Sequence, residues 1–345
     1  MRLASVVALA VLAALPANAV AARTVGAPAT LRPLGAGAPL SHPSAPHQTW
    51  ELSGIDRRRG RVAMVRLSTN PELDSEVRAG TPGEVAGHVP GAPLGAGMRL
   101  ISASTRSVRL GSAQGSARIA RTGARLVAEI DAEDASGRLV LSRITRGPLA
   151  RRWSLGRLTL DGRGPVPQRI SLAVPALTAR LDGELTIDGA TLRIRGWRAS
   201  LEHVWGDLSF SPRTWDGWNA VTLQGSSRSA WLAFGLTRNA VTAYDGAVDG
   251  QWAGVLARAR AGRVRLCRPA VHRRPNPGVY VTVIRLQCWG RRITLRMRPA
   301  RGFLWSYVNL NDGRDWDELG RLAQGPGGAA GVARVLDPSP PFGSP

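Results

Sequence analysis

Lysine is missing from this chain: its 46 Lys+Arg positions are all arginine. Cysteine is nearly missing too, with two residues, and aromatics make up 5%. CxxC spacing does not occur, which excludes a zinc ribbon. Neither GxSxG nor a Walker sequence is present, so the nucleophile elbow and the phosphate-cradling loop are excluded with them. No two histidines stand at ligand spacing with a carboxylate: His42 and His47 lie at the edge of a leader, His88 in a Gly-rich loop and His272 beside a turn. No metal and no cofactor are expected on that pattern. Helix signals are few, and no strand–helix alternation runs through the chain, which excludes Rossmann and TIM arrangements.

Long hydrophobic runs are also scarce. The one apolar run, Leu3–Leu15, follows Arg2, is broken by Pro16 and precedes the small residues Ala17-Asn18-Ala19. That is the layout of a secretory signal peptide at residues 1–19, cleaved near Ala19. The run is shorter than the ~20 residues that span a bilayer. The alternative is an uncleaved anchor. Cleavage leaves a soluble protein with no transmembrane span, secreted or held in the cell envelope. Residues 20–46 are rich in Ala, Gly and Pro and read as a flexible leader, and residues 324–345 read as a disordered tail of the same character. The length between suits two small domains or one large β domain.

What the chain has in excess is arginine, with a formal net charge of +22. A polyanion such as nucleic acid is the first partner this suggests. Yet in RVRLCR (263–268) and RRITLRMR (291–298) arginine alternates with apolar residues, as on the solvated face of a strand. GC-rich coding accounts for the excess as well. No specific nucleic-acid partner is expected, because clustering rather than net charge marks specific binding. An anionic cell-envelope surface stays open as a partner.

Strand signals dominate. Short runs with period-two alternation, such as MRLISAS, GRLVLSRI and RLTLDG, recur between turn signals. Asp56–Gly60, Glu133–Gly137 and Asp188-Gly189 read as hairpin turns. The spacing of strands predicts a barrel or sandwich. One short helix is expected over DWDELGRLAQ (315–324), with acids in its first turn. The even cysteine count of an exported chain predicts a Cys267–Cys288 disulfide, reached by folding at Pro275–Gly278. Two free thiols are the alternative.

Eight of the eleven tryptophans lie between Trp197 and Trp305. They fill a core or line a barrel holding an apolar ligand. Within this region, SLEHVWGDLSF (200–210) places a carboxylate, an imidazole and an indole together as Glu202, His203 and Trp205. On a strand, Glu202 faces one side and His203 and Trp205 the other. A desolvated acid or imidazolium there could protonate an alkene. Equally, His203 could be structural and Trp205 part of the core.

The sequence Glu202-His203-x-Trp205-Gly206, followed by Trp215 and Trp218, resembles the lipocalin-like superfamily of carotenoid 1,2-hydratases, tocopherol cyclases and AttH-type proteins. HQTWELSG (47–54) is similar to the aromatic strand opening the first half in that family, and LWSYVNL (304–310) to a closing segment. The resemblance covers mainly residues 195–310. It implies an all-β fold of two successive lipocalin-like antiparallel β-barrel halves, here 47–190 and 191–323. It also implies an apolar isoprenoid- or lipid-like ligand, with His203, Trp205, Trp215, Trp218 and Trp231 as binding candidates. A hydratase or cyclase using Glu202 and His203 as acid/base is the alternative, and an Arg-rich module for anionic polymers a third. The acidic or tyrosyl groups expected after the motif are absent from LQGSSRSAWLAFGL (223–236).

Overall fold

The structure, a computed structural model, describes residues 27–337 apart from 72, 82–90, 161–162, 207–217, 239–249, 272–282, 297, 310–315 and 326–328. The signal-peptide region therefore lies outside the described residues, as do His88, His272 and Trp215. Among the described residues there is no helix; the fold is all-β and antiparallel.

The first part of the chain forms β1 (Thr30–Pro33), β2 (His47–Asp56), β3 (Arg61–Ser68), β4 (Asp74–Gly80) and β5 (Gly91–Ala96). It continues through β6 (Arg99–Ala103), β7 (Ser107–Gly111), β8 (Gly115–Thr122), β9 (Arg125–Ala132) and β10 (Ala135–Thr145). Three long strands follow: β11 (Pro148–Leu160), β12 (Arg163–Ile187) and β13 (Ala190–Gly206). These thirteen strands make one sheet in the order β5-β4-β3-β2-β13-β12-β10-β9-β8-β7-β6, with β11 on β12 and β1 on β11. Leu94 of β5 and Leu110 of β7 sit far apart in that order yet share one buried cluster with Trp50, Leu139 and Leu201. The sheet therefore curls on itself as a half-barrel, burying the apolar residues of alternate positions inside.

The second sheet has ten strands: β14 (Trp218–Gln224), β15 (Arg228–Arg238), β16 (Gly250–Arg260), β17 (Arg263–Cys267), β18 (Ala270–Val271), β19 (Val283–Cys288), β20 (Arg291–Arg296), β21 (Arg298–Asn309), β22 (Trp316–Gly325) and β23 (Ala329–Asp337). The chain changes sheets between Gly206 and Trp218, so β13 belongs to the first sheet along its whole length. The expected turns are present: Asp56 Oδ1 accepts the backbone N–H groups of Arg58 and Arg59, and Asp188-Gly189 has φ of 49° and 76°, as a two-residue hairpin requires.

Three expectations are corrected. DWDELGRLAQ is not a helix but β22, hydrogen-bonded to both β21 and β23. Within the expected tail, Ala329–Asp337 is a strand, paired with β14 and β22. The leader is ordered from residue 27: Thr30–Pro33 pairs with Pro148–Arg151, and Leu34, Leu40 and Ser41 are buried. Ala/Gly/Pro composition signals flexibility only where nothing covers the chain, and these few apolar side chains are covered.

The disulfide Cys267–Cys288 is formed, with Cα atoms 5.9 Å apart. It joins the ends of β17 and β19 beside the pair Ala270↔Gln287.

Candidate functional site

Strand β13 carries the motif, and its two faces look in different directions. Cross-strand partners on β2 are Trp50 for His203, Gln48 for Trp205 and Glu51 for Glu202. Trp50, Leu52 and Leu201 point into the half-barrel, and so does His203. Glu202 points out, toward the second sheet.

The inward face is a stack of rings. His203 lies on Trp50 with centroids 4.7 Å apart and planes 7° apart. Trp205 is tilted against it at 4.8 Å, and His42, from the ordered leader, stacks on Trp205 at 3.9 Å. Trp50 Nε1 donates to the Leu40 carbonyl. The imidazole is fully buried, at 0% exposure. Its Nε2 lies 3.2 Å from Gln48 Oε1. That oxygen also accepts the backbone N–H of His42 at 2.7 Å. A backbone N–H can only donate, so the amide oxygen is fixed and His203 Nε2 must carry its hydrogen. Nδ1 is then the bare nitrogen, and it is buried with no partner among the described residues. Burial, and secondarily the charge of His42, hold His203 well below the ordinary imidazole range. His42 is lowered too, by burial and then by Arg151. His203 is a neutral ring in a closed stack, and burial disfavours the imidazolium considered above as a proton donor.

The outward face carries a feature that sequence reasoning missed. Glu202, Glu51, Arg66 and Glu76 are directly opposite one another across β13, β2, β3 and β4. All four are buried, with Arg66 only 2% exposed. Arg66 reaches Glu51 and Glu76 at 3.5 Å each, Arg78 reaches Glu76 at 2.6 Å, and Ser53 donates to Glu51 at 3.1 Å. A like-charge pair such as Glu202 and Glu51 directly opposite is unfavourable by itself, and Arg66 offsets it. The available signal was weak: a charged residue next to apolar ones in WEL, VRL, SEV and LEH.

This row faces the second sheet. Thr222 Oγ1 donates to Glu202 Oε1 at 3.5 Å. Gln224 Nε2 donates to the Leu177 carbonyl at 2.8 Å, and Ser229 Oγ donates to Gln224 Oε1. Around them, Trp153, Ile170 and Leu172 of the first sheet pack with Ala220, Trp231 and Val255 of the second. Trp231 thus faces the seam, while Val221, Leu223 and Leu232 on the opposite face form a separate cluster. Trp231 is 1% exposed, and its Nε1 has no acceptor among the described residues. Thr222 and Trp231 are cross-strand partners, so Glu202, Thr222 and Trp231 form one line across the seam. The predicted residues therefore divide: His203 faces the half-barrel with Trp205 beside it, packed under the leader with Leu34 and Leu149, and Glu202 and Trp231 lie in the seam. Trp218 opens β14 opposite Gly235 and Leu336, and Trp215 is outside the described residues. Among the described residues no group of three His, Cys, Asp or Glu is placed to hold a metal ion, and no helix is long and apolar enough to cross a membrane.

A large antiparallel sheet curled into a half-barrel is the fold of lipocalin-like barrels. Solved structures with this fold include the AttH-like protein of Nitrosomonas europaea, at 14% identity and a TM-score of 0.53 over 88% of this chain and 98% of that one. They also include CghA with Sch210972, at 12% identity and a TM-score of 0.56 over 91% and 96%. No family model and no curated protein matches the sequence.

Proposed function

We propose that the chain is an exported lipocalin-like protein that binds an apolar, isoprenoid- or lipid-like molecule, and that the ligand's polar end is met in the seam at Glu202 and Trp231. The observation that carries this is the line Glu202–Thr222–Trp231: a buried carboxylate, a hydroxyl and an indole N–H without an acceptor among the described residues, set in an apolar surround. Burying a donor such as the Trp231 N–H without a partner costs stability, and ligand sites are where such a group is tolerated. The Cys267–Cys288 bond supports an oxidising compartment, in line with the signal peptide read from residues 1–19. The two sheets support two halves, with the change between Gly206 and Trp218 rather than at residue 190 and the second half running to Asp337. CghA, solved with Sch210972, supports small-molecule binding in this fold. Native mass spectrometry after lipid extraction, and quenching of tryptophan fluorescence by an isoprenoid panel, test the reading. Saturable quenching that Glu202→Gln weakens is the expected result; no bound lipid and no quenching across the panel overturn it.

A second reading is hydration or cyclisation of such a ligand, with Glu202 as the proton donor and His203 supporting the fold rather than the chemistry. Its support is that Glu202 faces the seam while His203 is closed inside the ring stack. Turnover that survives Glu202→Gln sinks it.

A further inference from the structure

The sequence spreads its arginines over many strands, but the fold gathers them. A cleft of about 1170 Å³ lies between the β2–β3 turn and the β12–β13 hairpin. Arg57, Arg58, Arg59, Arg193, Arg195 and Arg198 line it, together with Arg61, which pairs with Asp56 at 2.9 Å and lies over Trp197. Two of its described lining residues are carboxylates, Asp56 and Glu184.

A second cleft, about 720 Å³, lies on the other sheet. Seven arginines line it and, among its described lining residues, no carboxylate does. Their placement is fixed by register. Arg228, Arg260 and Arg263 are direct neighbours across β15, β16 and β17, and Arg258 is opposite Arg265. Arg291 and Arg292 enter from β20. As in the first cleft, one guanidinium lies over an indole, Arg265 on Trp289 at 4.8 Å. Like charges directly opposite on antiparallel strands destabilise the pair, and within this cleft nothing described offsets them.

The clefts adjoin. Arg198, on the wall of the first, donates through Nη2 to the carbonyl of Ser226, two residues from Arg228 on the wall of the second. We propose that they form one bipartite binding face for a linear polyanion: an unbranched polymer with repeated phosphate, sulfate or carboxylate groups and no bases. Guanidinium forks recognise such groups by paired N–H donors. Trp197 is buried, and the half-buried Trp289 of the second cleft is covered by Arg265, so the face offers no row of open aromatic platforms for stacking successive bases, as single-stranded nucleic acid requires. Among the described residues the fully exposed large apolar side chain is Ile101 on β6, outside both clefts; Leu192, Trp289 and Ile293 on the cleft walls are half-buried among arginines, which favours a charged partner over the apolar interior of a bilayer. This face is separate from the seam, and the proposal stands or falls independently of ligand binding there.

The test uses the full chain with fluorescent long-chain polyphosphate and with heparin, read by anisotropy across a salt series. Binding to both, weakening roughly a hundredfold or more between about 50 and 200 mM salt, is expected of many released counterions. Chains too short to reach both clefts bind about a hundredfold more weakly, because the second contact is no longer intramolecular. Arg58→Ser/Arg59→Ser/Arg195→Ser and Arg228→Ser/Arg260→Ser/Arg263→Ser each weaken the long chains about tenfold or more and reduce the advantage of long over short chains, because one of the two contacts is lost. Arg99→Ser/Arg109→Ser/Arg125→Ser removes the same charge from exposed positions elsewhere and serves as the control. Equal weakening by the control, or wild-type affinity independent of chain length, reduces the effect to net charge and overturns the proposal. Tighter binding to a single-stranded oligonucleotide or to phosphatidylglycerol vesicles overturns it as well. The length series on the wild-type chain needs no variant to fold.

Discussion

The imidazole of His203 lies flat on the indole of its cross-strand partner Trp50, 4.7 Å away and 7° from parallel. The ring is fully buried and is held by one hydrogen bond to Gln48. His203→Ala empties this space and is expected to cost about 2–4 kcal/mol, as buried large-to-small changes do. His203→Phe keeps the stack and gives up the Gln48 bond, for about 1 kcal/mol. Chemical denaturation of the two variants checks the order.

The same burial makes stability depend on pH. His203 and His42 are both lowered in the folded chain, whereas an unfolded imidazole titrates near about 6.5. Below that value the unfolded chain takes up protons that the folded chain refuses, so stability falls as pH drops and is full above it. Denaturation midpoints between pH 7.5 and 5 are expected to decline. His203→Phe should flatten part of that slope and leave the contribution of His42. An unchanged slope would show that His203 does not titrate as argued.

Arg66 holds two buried carboxylates. Arg66→Met leaves Glu51 and Glu76 short of their shared cation and is expected to cost about 3–5 kcal/mol. Glu202→Gln removes one of two opposed negative charges and keeps an acceptor for Thr222, so its midpoint should stay within about 1 kcal/mol of wild type. A fold that tolerates Arg66→Met would mean the row is solvated.

Gly331 on β23 lies against the backbone of β14: a Cβ there meets the Thr222 carbonyl oxygen. That oxygen belongs to the residue whose hydroxyl binds Glu202. Gly331→Ala is expected to push the two strands apart, costing about 1–3 kcal/mol and weakening the Thr222–Glu202 contact. Thermal denaturation, with hydrogen exchange on β14, reads both effects.

The all-β class, the hairpin turns and the Cys267–Cys288 pair were legible because each rests on local chemistry: period-two alternation, turn residues and cysteine parity. The opposite facing of Glu202 and His203 was legible for the same reason. What escaped was set by register between distant strands. Nothing near Glu51 in sequence points to Arg66, Glu76 or Glu202. His42 lies among Ala, Gly and Pro, and only Trp205 makes its position intelligible. DWDELGRLAQ has good helix chemistry, yet it is flanked on both sides by strands, and tertiary pairing overrides propensity. The arginines alternated as solvated strand faces do, and their gathering into clefts appears only once β15, β16 and β17 are aligned.

β23 lies inside its sheet, between β14 and β22, and pairs Leu336 with Trp218. The first sheet is joined in a similar way, Gly206 of β13 pairing with His47 of β2. Each half therefore zips its opening strand to one of its last, and the loop-closure entropy of nearly the whole half is paid before that contact forms. The sheet of the second half is complete only once its final strand is in place. A nick or truncation before Ala329 would take out an internal rung of the sheet and leave β14 with an open edge prone to pairing between molecules.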